Sequence, residues 1–574
     1  MLSLNFSFIL SISYISLTCI KNINDKSLIL YFVTSGVIVE KLTLLIPGIP
    51  IIIAFLLFFI NKKELIPKIS IVLSSMIALL GLYGTYYVMS NDTQIIGFNG
   101  LLVYNELSAI LVPYVAILGL VIRKYATKYM WDEAGYKRFF ILLNFIFASI
   151  YLLVMSNNLI VLALAWQLMS VGLYLLVSFN VGSKTAVKNA RWTMYIHKGA
   201  DFVFLLAVIL TYQTFGSFDL LVLKEKWLIM SQSPVTDPMV LTVGLLYLLA
   251  AMMKSAIVPF HIWLPYTSEA PTPVSGLMHA GVVNVGGILL NKMAYLLILT
   301  PMVLNIAFVV GLFTAIFASM LMLVVSDIKR SLGYSTVGQM GYMIMEIGLG
   351  AFSLAIYHLI VHGIFKASLF LESGSIIKYA RKDPNIPERL SHKTFLEENT
   401  KFKSSKTFKL IAVFTIVPVV AFVGIKMLLA PEFFEFNAAI VILAFAWLTG
   451  TQLFLSFFKV SKFDSIKAIF GIVSSFILVL FTYEFIGLSL EHFLYGHDSL
   501  LFYKAATLNV TLVSALVVLS FVMIVGWLFI YKQHFKTPVS TKEKANKSKW
   551  SFYKLLVKEG YYFEIFNSSK KGKL

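Results

Sequence analysis

The stretch LLAAMMKSAIVPFHIWLPYTSEAPTPVSGLMHAGVVNVGGILLNK, residues 248–292, decides what kind of protein this is. Lys254 and His279 stand inside its apolar runs, and Pro259, Pro265, Pro271 and Pro273 interrupt helix between them. A proline removes a backbone donor and leaves a carbonyl unpaired, which a bilayer tolerates only where protein or water lies alongside. A charge at the bilayer centre costs about 2.5–3.5 kcal/mol on insertion scales, so ionisable residues there usually mark a pathway. A broken helix beside a buried lysine is how transporters build ion sites near the midplane. The plainer alternative for Lys254 is a lysine reaching along a helix end toward the headgroups. Glu269 reads either as a charge supporting that lysine or as an interfacial one. His279 opens the helix that follows, where Gly281, Gly286 and Gly287 permit close helix approach and Asn284 adds a hydrogen-bonding group.

The same pattern recurs downstream in YHLIVHGIFKASLFLES, residues 357–373, where His358, His362 and Lys366 are spaced i, i+4 and i+8. On a helix each step of four residues climbs about 6 Å and turns little past a full circle. The three therefore form one polar stripe, directed away from lipid. Imidazoles titrate near neutral pH and relay protons, and a lysine taken out of water can hold and release one. Hydrogen-bonding glue between helices is the plainer role for any one of them. Upstream, Lys198 and Asp201 in HKGADFVF are spaced to form an ion pair.

Working outward, the chain is 59% hydrophobic and 13% charged, with mean hydropathy +0.85, outside the range of soluble domains. Apolar runs long enough to cross a bilayer lie near 43–60, 68–90, 107–122, 139–156, 157–179, 201–215, 239–258 and 274–299. Others lie near 302–325, 333–350, 352–375, 409–428, 436–457, 466–489 and 507–531. They are too long for barrel strands, so the expected fold is an all-α polytopic membrane protein of about 14–15 transmembrane helices, one of them proline-broken. Residues 1–42 read as an N-terminal hydrophobic extension: further spans, a signal-like segment or an upstream addition. Residues 43–531 read as the membrane domain and 532–574 as a basic tail.

The net charge of +19 has a distribution that excludes nucleic acid as its cause. Lysine and arginine gather after alternate spans: Lys62, Lys63 and Lys68; Arg123 to Arg138; Lys184, Lys188 and Arg191; Lys329 and Arg330; the loop 378–409; and the tail. This is the positive-inside pattern, which makes those loops and the C-terminus cytoplasmic and the location a cell inner membrane. The tail, with Trp550, Phe552, Tyr553, Tyr561, Tyr562 and Phe563, reads as a segment lying against anionic headgroups or docking a soluble partner. Cys19 is the single cysteine, so no cysteine-ligated cluster or disulfide framework forms within the chain, and no dinucleotide or Walker fingerprint occurs. No cofactor is expected in this chain, and any redox or ATP chemistry belongs to a partner.

The strings KSAIVPFHIWLPYTSEAPTPVSGLMHAG (254–281), SDIKRSLGYSTVGQMGYM (326–343) and YHLIVHGIFKASLFLESGS (357–375) resemble the proton-conducting, antiporter-like membrane subunits. That family includes the large L-type subunit of NADH:quinone oxidoreductase, the Mrp sodium/proton antiporter subunits and DabB, membrane partner of the inorganic-carbon pump protein DabA. The resemblance is best over residues 100–380. It implies an antiporter-like fold with paired helical bundles around a polar axis and protons as the transported species. It further implies proton-carrying lysines at Lys254 and Lys366, relay positions at His279, His358 and His362, and a charged pair at Lys198 and Asp201.

Two departures stand out. Where the complex I and Mrp branches place a glutamate beside the first lysine, this chain has Gln167 in LALAWQLMSVGLYLLV. Glutamine carries no charge, which speaks against a charge-switching mechanism of their kind and leaves room for a homologue that has lost conduction. The lysine–aspartate pair of their twelfth helix is not recognisable, with Lys426 in FVGIKMLLAPE a loose stand-in. The string LMHAGVVNVGGILL is similar to the DabB branch. That branch implies a subunit, not itself an enzyme, driving carbon dioxide or bicarbonate uptake with a zinc-containing DabA-like partner. The alternatives are an L-like subunit of NADH:quinone oxidoreductase and an Mrp-type subunit.

Overall fold

The computed structural model describes residues 36–233, 237–325, 327–382, 416–431 and 466–506, with a few isolated positions besides. Helices α1 (Gly36–Phe59) and α2 (Leu65–Asn91) precede a short hairpin, β1 (Ile95–Gly97) and β2 (Leu102–Tyr104). Then come α3 (Glu106–Tyr129), α4 (Tyr136–Met155), α5 (Leu159–Val177), α6 (Lys184–Phe215), α7 (Leu220–Met230) and α8 (Pro238–Lys254). A one-turn helix α9 (Trp263–Tyr266) leads to α10 (Thr272–Ala280), α11 (Val285–Lys292) and α12 (Ala294–Ile298). Long helices α13 (Pro301–Val324), α14 (Ile328–Gly348) and α15 (Phe352–Lys382) follow. After them come α16 (Val417–Leu429), α17 (Ile466–Tyr495) and α18 (Ser499–Ala505).

Apolar sequence in lipid must satisfy its backbone internally, and helix does so segment by segment. The polar residues between the apolar runs serve as caps. Asn105 accepts from Ser108 N–H, Asn158 from Ile160 N–H, Asp237 from Met239 N–H and Asp327 from Arg330 N–H. Among the described residues, ten helical stretches are long and apolar enough to cross a membrane, and α8 and α16 are shorter apolar helices. The chain is an all-α polytopic membrane protein. The expected spans 436–457 and 507–531, most of the loop 378–409, residues 1–35 and the tail fall largely or wholly outside the described residues.

Several boundaries differ from the hydropathy reading. Helix α1 starts at Gly36, not near 43, because exposed Glu40 and Lys41 depress hydropathy without interrupting helix. Helix α6 begins at Lys184, well before 201, its polar first half masking it from a hydropathy window. The run 274–299 is not one helix: it breaks at Gly281 and again at Met293. His279 consequently lies in the last turn of α10 and does not open a helix.

That broken span is central. Within Thr272–Lys292, 94% of the apolar window is buried, against 39% for Leu65–Asn91, whose Val72, Leu79 and Tyr86 face outward. Only a central helix has protein on all sides to receive the backbone groups a break releases. Nearby, α13 and α14 pack backbone to backbone: a Cβ at Gly341 would lie 2.6 Å from Ala315 N and 2.8 Å from Gly311 O.

The molecule has two distinct ends. At one, Lys329 donates to the carbonyls of Ser268 and Ala270 (3.3 and 3.1 Å), and Asn189 to that of Tyr266 (3.1 Å). This end collects the basic starts of α6 and α14. The other end carries the hairpin, the Asn157–Asp219 bond (2.9 Å) and the Tyr295–Asp498 bond (2.9 Å).

Candidate functional site: a buried polar axis

Helix α8 stops at Lys254, whose side chain is wholly buried. A cation at a helix C-terminus is favoured by the dipole, yet burial requires more than that. Lys254 Nζ donates to Asp201 Oδ1 of α6 (3.0 Å), Ser170 Oγ of α5 (2.5 Å) and the Trp166 carbonyl (3.0 Å), and lies 4.4 Å from the Trp166 ring centroid. Asp201 accepts in addition from Ser170 Oγ (2.9 Å) and from Lys198 Nζ (3.1 Å), which is 44% exposed. One carboxylate thus serves two lysines. Gln167 is half-buried one position beyond Trp166, so the charge its position lacks comes from a neighbouring helix. Glu269 is exposed in the turn Thr267–Glu269 and does not join the cluster.

Two carbonyls at the break beside Gly281 find side-chain donors. Tyr114 and the Asn284 side chain both donate to Ala280 O (2.8 Å each), and Ser255 Oγ donates to Val283 O (2.7 Å). The Ser255 bond ties the end of α8 to the break between α10 and α11, so the two interruptions meet. His279, buried just before the break, stacks on Phe370 of α15 at 4.0 Å, and its Nδ1 has no hydrogen-bond partner among the described residues.

Helix α15 carries His358, His362 and Lys366 along one buried or half-buried face. His358 Nδ1 is 3.0 Å from Glu346 Oε1, and its Nε2 is 3.0 Å from Gln339 Oε1. A doubly protonated ring can donate to both oxygens, a neutral ring to one. The ring of His362 lies 5.9 Å from that of His358, and neither of its nitrogens has a hydrogen-bond partner among the described residues. Lys366 Nζ donates to Ser335 Oγ (2.7 Å) and contacts Leu332 O at 3.5 Å. A Cβ at Gly363 would collide with the Tyr114 hydroxyl and lie 2.8 Å from Ala280 O, so glycine there lets α15 reach the break.

Toward the C-terminus, Lys426 of α16 and Glu484 of α17 form a nearly buried ion pair at 2.7 Å. Tyr483 packs on Tyr357 at 4.9 Å, next to His358. A cavity of about 230 Å³ adjoins the pair, lined by Lys426, Glu491, His492, His497 and Tyr503.

Sequence reasoning passed over Ser170, Ser335, Gln339, Glu346 and Glu484. Ser335, Gln339 and Glu346 recur at helical spacing in α14, a signal available in principle. Glu484 offered none, since its partner lies 58 positions away (484 − 426).

Titratable side chains buried along the centre of a helical membrane bundle are the arrangement expected of an ion-conducting, antiporter-like membrane subunit. Residues 156–464 match the family described as NADH:quinone oxidoreductase/Mrp antiporter, transmembrane, and residues 97–140 match the N-terminus of chain 5 of NADH-ubiquinone oxidoreductase. The chain belongs to this family of proton-conducting, antiporter-like subunits.

It is 36% identical over 541 residues to the probable inorganic carbon transporter subunit DabB1 of Halothiobacillus neapolitanus, covering 91% of this chain and 95% of that one. That similarity runs well beyond the 100–380 core. With NADH-quinone oxidoreductase subunit L of Buchnera aphidicola the identity is 37% over 286 residues, half of this chain and 46% of that protein. A solved Mrp complex from a Dietzia species shares the fold with TM-score 0.57 at 20% identity, over 93% of this chain and 61% of that one.

Proposed function

We propose that this chain is the proton-conducting membrane subunit of an inorganic carbon uptake pump, acting with a zinc-containing DabA-like partner in a cell inner membrane. The observation that carries this reading is the similarity to DabB1 along nearly the whole of both chains, whereas subunit L is matched over less than half its length. In this reading protons move along the axis of Lys254, His279, His358, His362 and Lys366. Asp201, itself bonded by Lys198, holds the first lysine, Glu346 holds His358, and Gln167 stands near the first site without carrying charge. The partner performs any carbon chemistry, and the basic C-terminal tail faces the cytoplasm.

A gentle-detergent pull-down of the tagged protein, with partners identified by mass spectrometry, tests it. One large zinc-containing partner is the expected outcome, followed by rescue of growth at low carbon dioxide. Recovery of flavin and iron–sulfur dehydrogenase subunits would move the function to respiration, and small Mrp-type membrane subunits would move it to cation exchange.

A further inference from the structure

Helix α6 buries a second titratable group that the axis above does not use. His197 is fully buried, and neither ring nitrogen has a hydrogen-bond partner among the described residues. Burying an unbonded polar group costs free energy that a leucine or phenylalanine would avoid, so such a group calls for an explanation. Its surroundings supply one. His197 adjoins Lys198 in sequence and precedes Asp201 by four residues, which places it on the Asp201 face of α6. Its ring meets Trp263 edge-on at 4.6 Å. Trp263 Nε1 in turn donates to the carbonyl of Met253, the residue before Lys254 (3.2 Å). Along α6, His197 lies between Asp201 and the lysine-rich end, where the segment bearing Trp263 and Tyr266 joins the start of α6 through the Asn189 bond to Tyr266.

We infer that His197 is a proton relay between the lysine-rich end of the molecule and the Lys254–Asp201 pair. The neutral ring takes a proton arriving from the lysine-rich end on its bare nitrogen and passes the proton on its other nitrogen to the Asp201 carboxylate through one bridging water, since no direct hydrogen bond joins the two side chains. The ring returns neutral with its tautomer exchanged, and Asp201, now uncharged, loosens its hold on Lys254. The group that passes charge into the first lysine site then comes from α6 and not from the Gln167 position on α5. This rests on Lys254 being a proton carrier.

The test is proton flux in membrane vesicles carrying the full-length chain with its native partners, driven by an imposed potential and read with a pH-sensitive dye. His197→Phe keeps a ring against Trp263 and should lower flux about a hundredfold, the scale of a lost acid–base group. His197→Ala should lose flux likewise and regain it with added imidazole, but not with pyrazole, which has the same shape and very weak basicity. Wild-type flux in His197→Phe, or equal rescue of His197→Ala by pyrazole, overturns the relay and leaves a packing residue. Should His197→Phe fail to insert, the imidazole and pyrazole arms decide alone. Lys254→Gln is run beside them: if it conducts normally, the axis itself falls, whereas its loss of flux beside a conducting His197→Phe removes His197 only.

Discussion

The two lysines of the axis are held in opposite ways. Lys254 sits in a closed arrangement, with a carboxylate, a hydroxyl, a carbonyl and an aromatic face all spent on it. Lys366 bonds a serine hydroxyl and approaches one carbonyl; among the described residues it has no ion pair, and the neighbouring His362 has no hydrogen-bond partner at either nitrogen. Removing one partner of a buried ion pair strands a charge, whereas removing a lysine that has no counter-charge strands nothing. On the proposed reading, the first region would combine stability with conduction and the second would serve conduction alone. If so, substitutions in the first should cost both properties together, and substitutions in the second should separate them.

The sharpest way to break this contrast is Asp201→Asn, which leaves Lys254 without its carboxylate. Loss of about 3–5 kcal/mol of stability, the usual cost of stranding a buried charge, is expected in thermal unfolding, together with loss of flux. A variant with unchanged unfolding would show that Asp201 does not support the buried lysine. Glu484→Gln probes whether the Lys426 pair belongs with the first region. Its slightly greater solvent access, near 10% and 8% for the two side chains, lowers the expected cost to about 2–3 kcal/mol. The double variant Lys426→Met with Glu484→Leu should recover most of that loss.

Lys366→Met, which keeps the buried alkyl stem, should cost only about 1 kcal/mol, the worth of the lost hydrogen bond, while abolishing flux and coupled uptake. Wild-type uptake in that variant would remove the residue from the pathway. The smallest effect is expected from Gln167→Glu. Because Lys254 already has Asp201, a second carboxylate should change stability by about 1 kcal/mol or less, measured by the same unfolding assay. A large gain in flux would mean instead that the glutamine limits this branch of the family.

Much of the axis was legible because helical periodicity is local. The spacing of His358, His362 and Lys366 alone puts them on one face, and the spacing of Lys198 and Asp201 alone makes their ion pair feasible. The break beside His279 was not legible, since the prolines drew attention to residues 259–273 while the second interruption falls at Gly281, where no proline stands. Ser335 and Gln339 lie within the string 326–343 and Glu346 three residues past its end, yet none of them disclosed a role, because a polar residue in an apolar helix announces its face but not its partner.

The sequence by itself determined the solvent. Apolar runs of bilayer length with basic clusters at alternate ends can fold only as spanning helices, and the ionisable residues inside them must face protein. Tertiary structure alone decided the pairing: that Asp201, from α6, supplies the charge answering Lys254 where α5 supplies only neutral groups, and that Glu484 answers Lys426 across 58 positions. Charge compensation acts through space over a few ångströms, and which residues come that close is settled by helix packing, which no local pattern encodes.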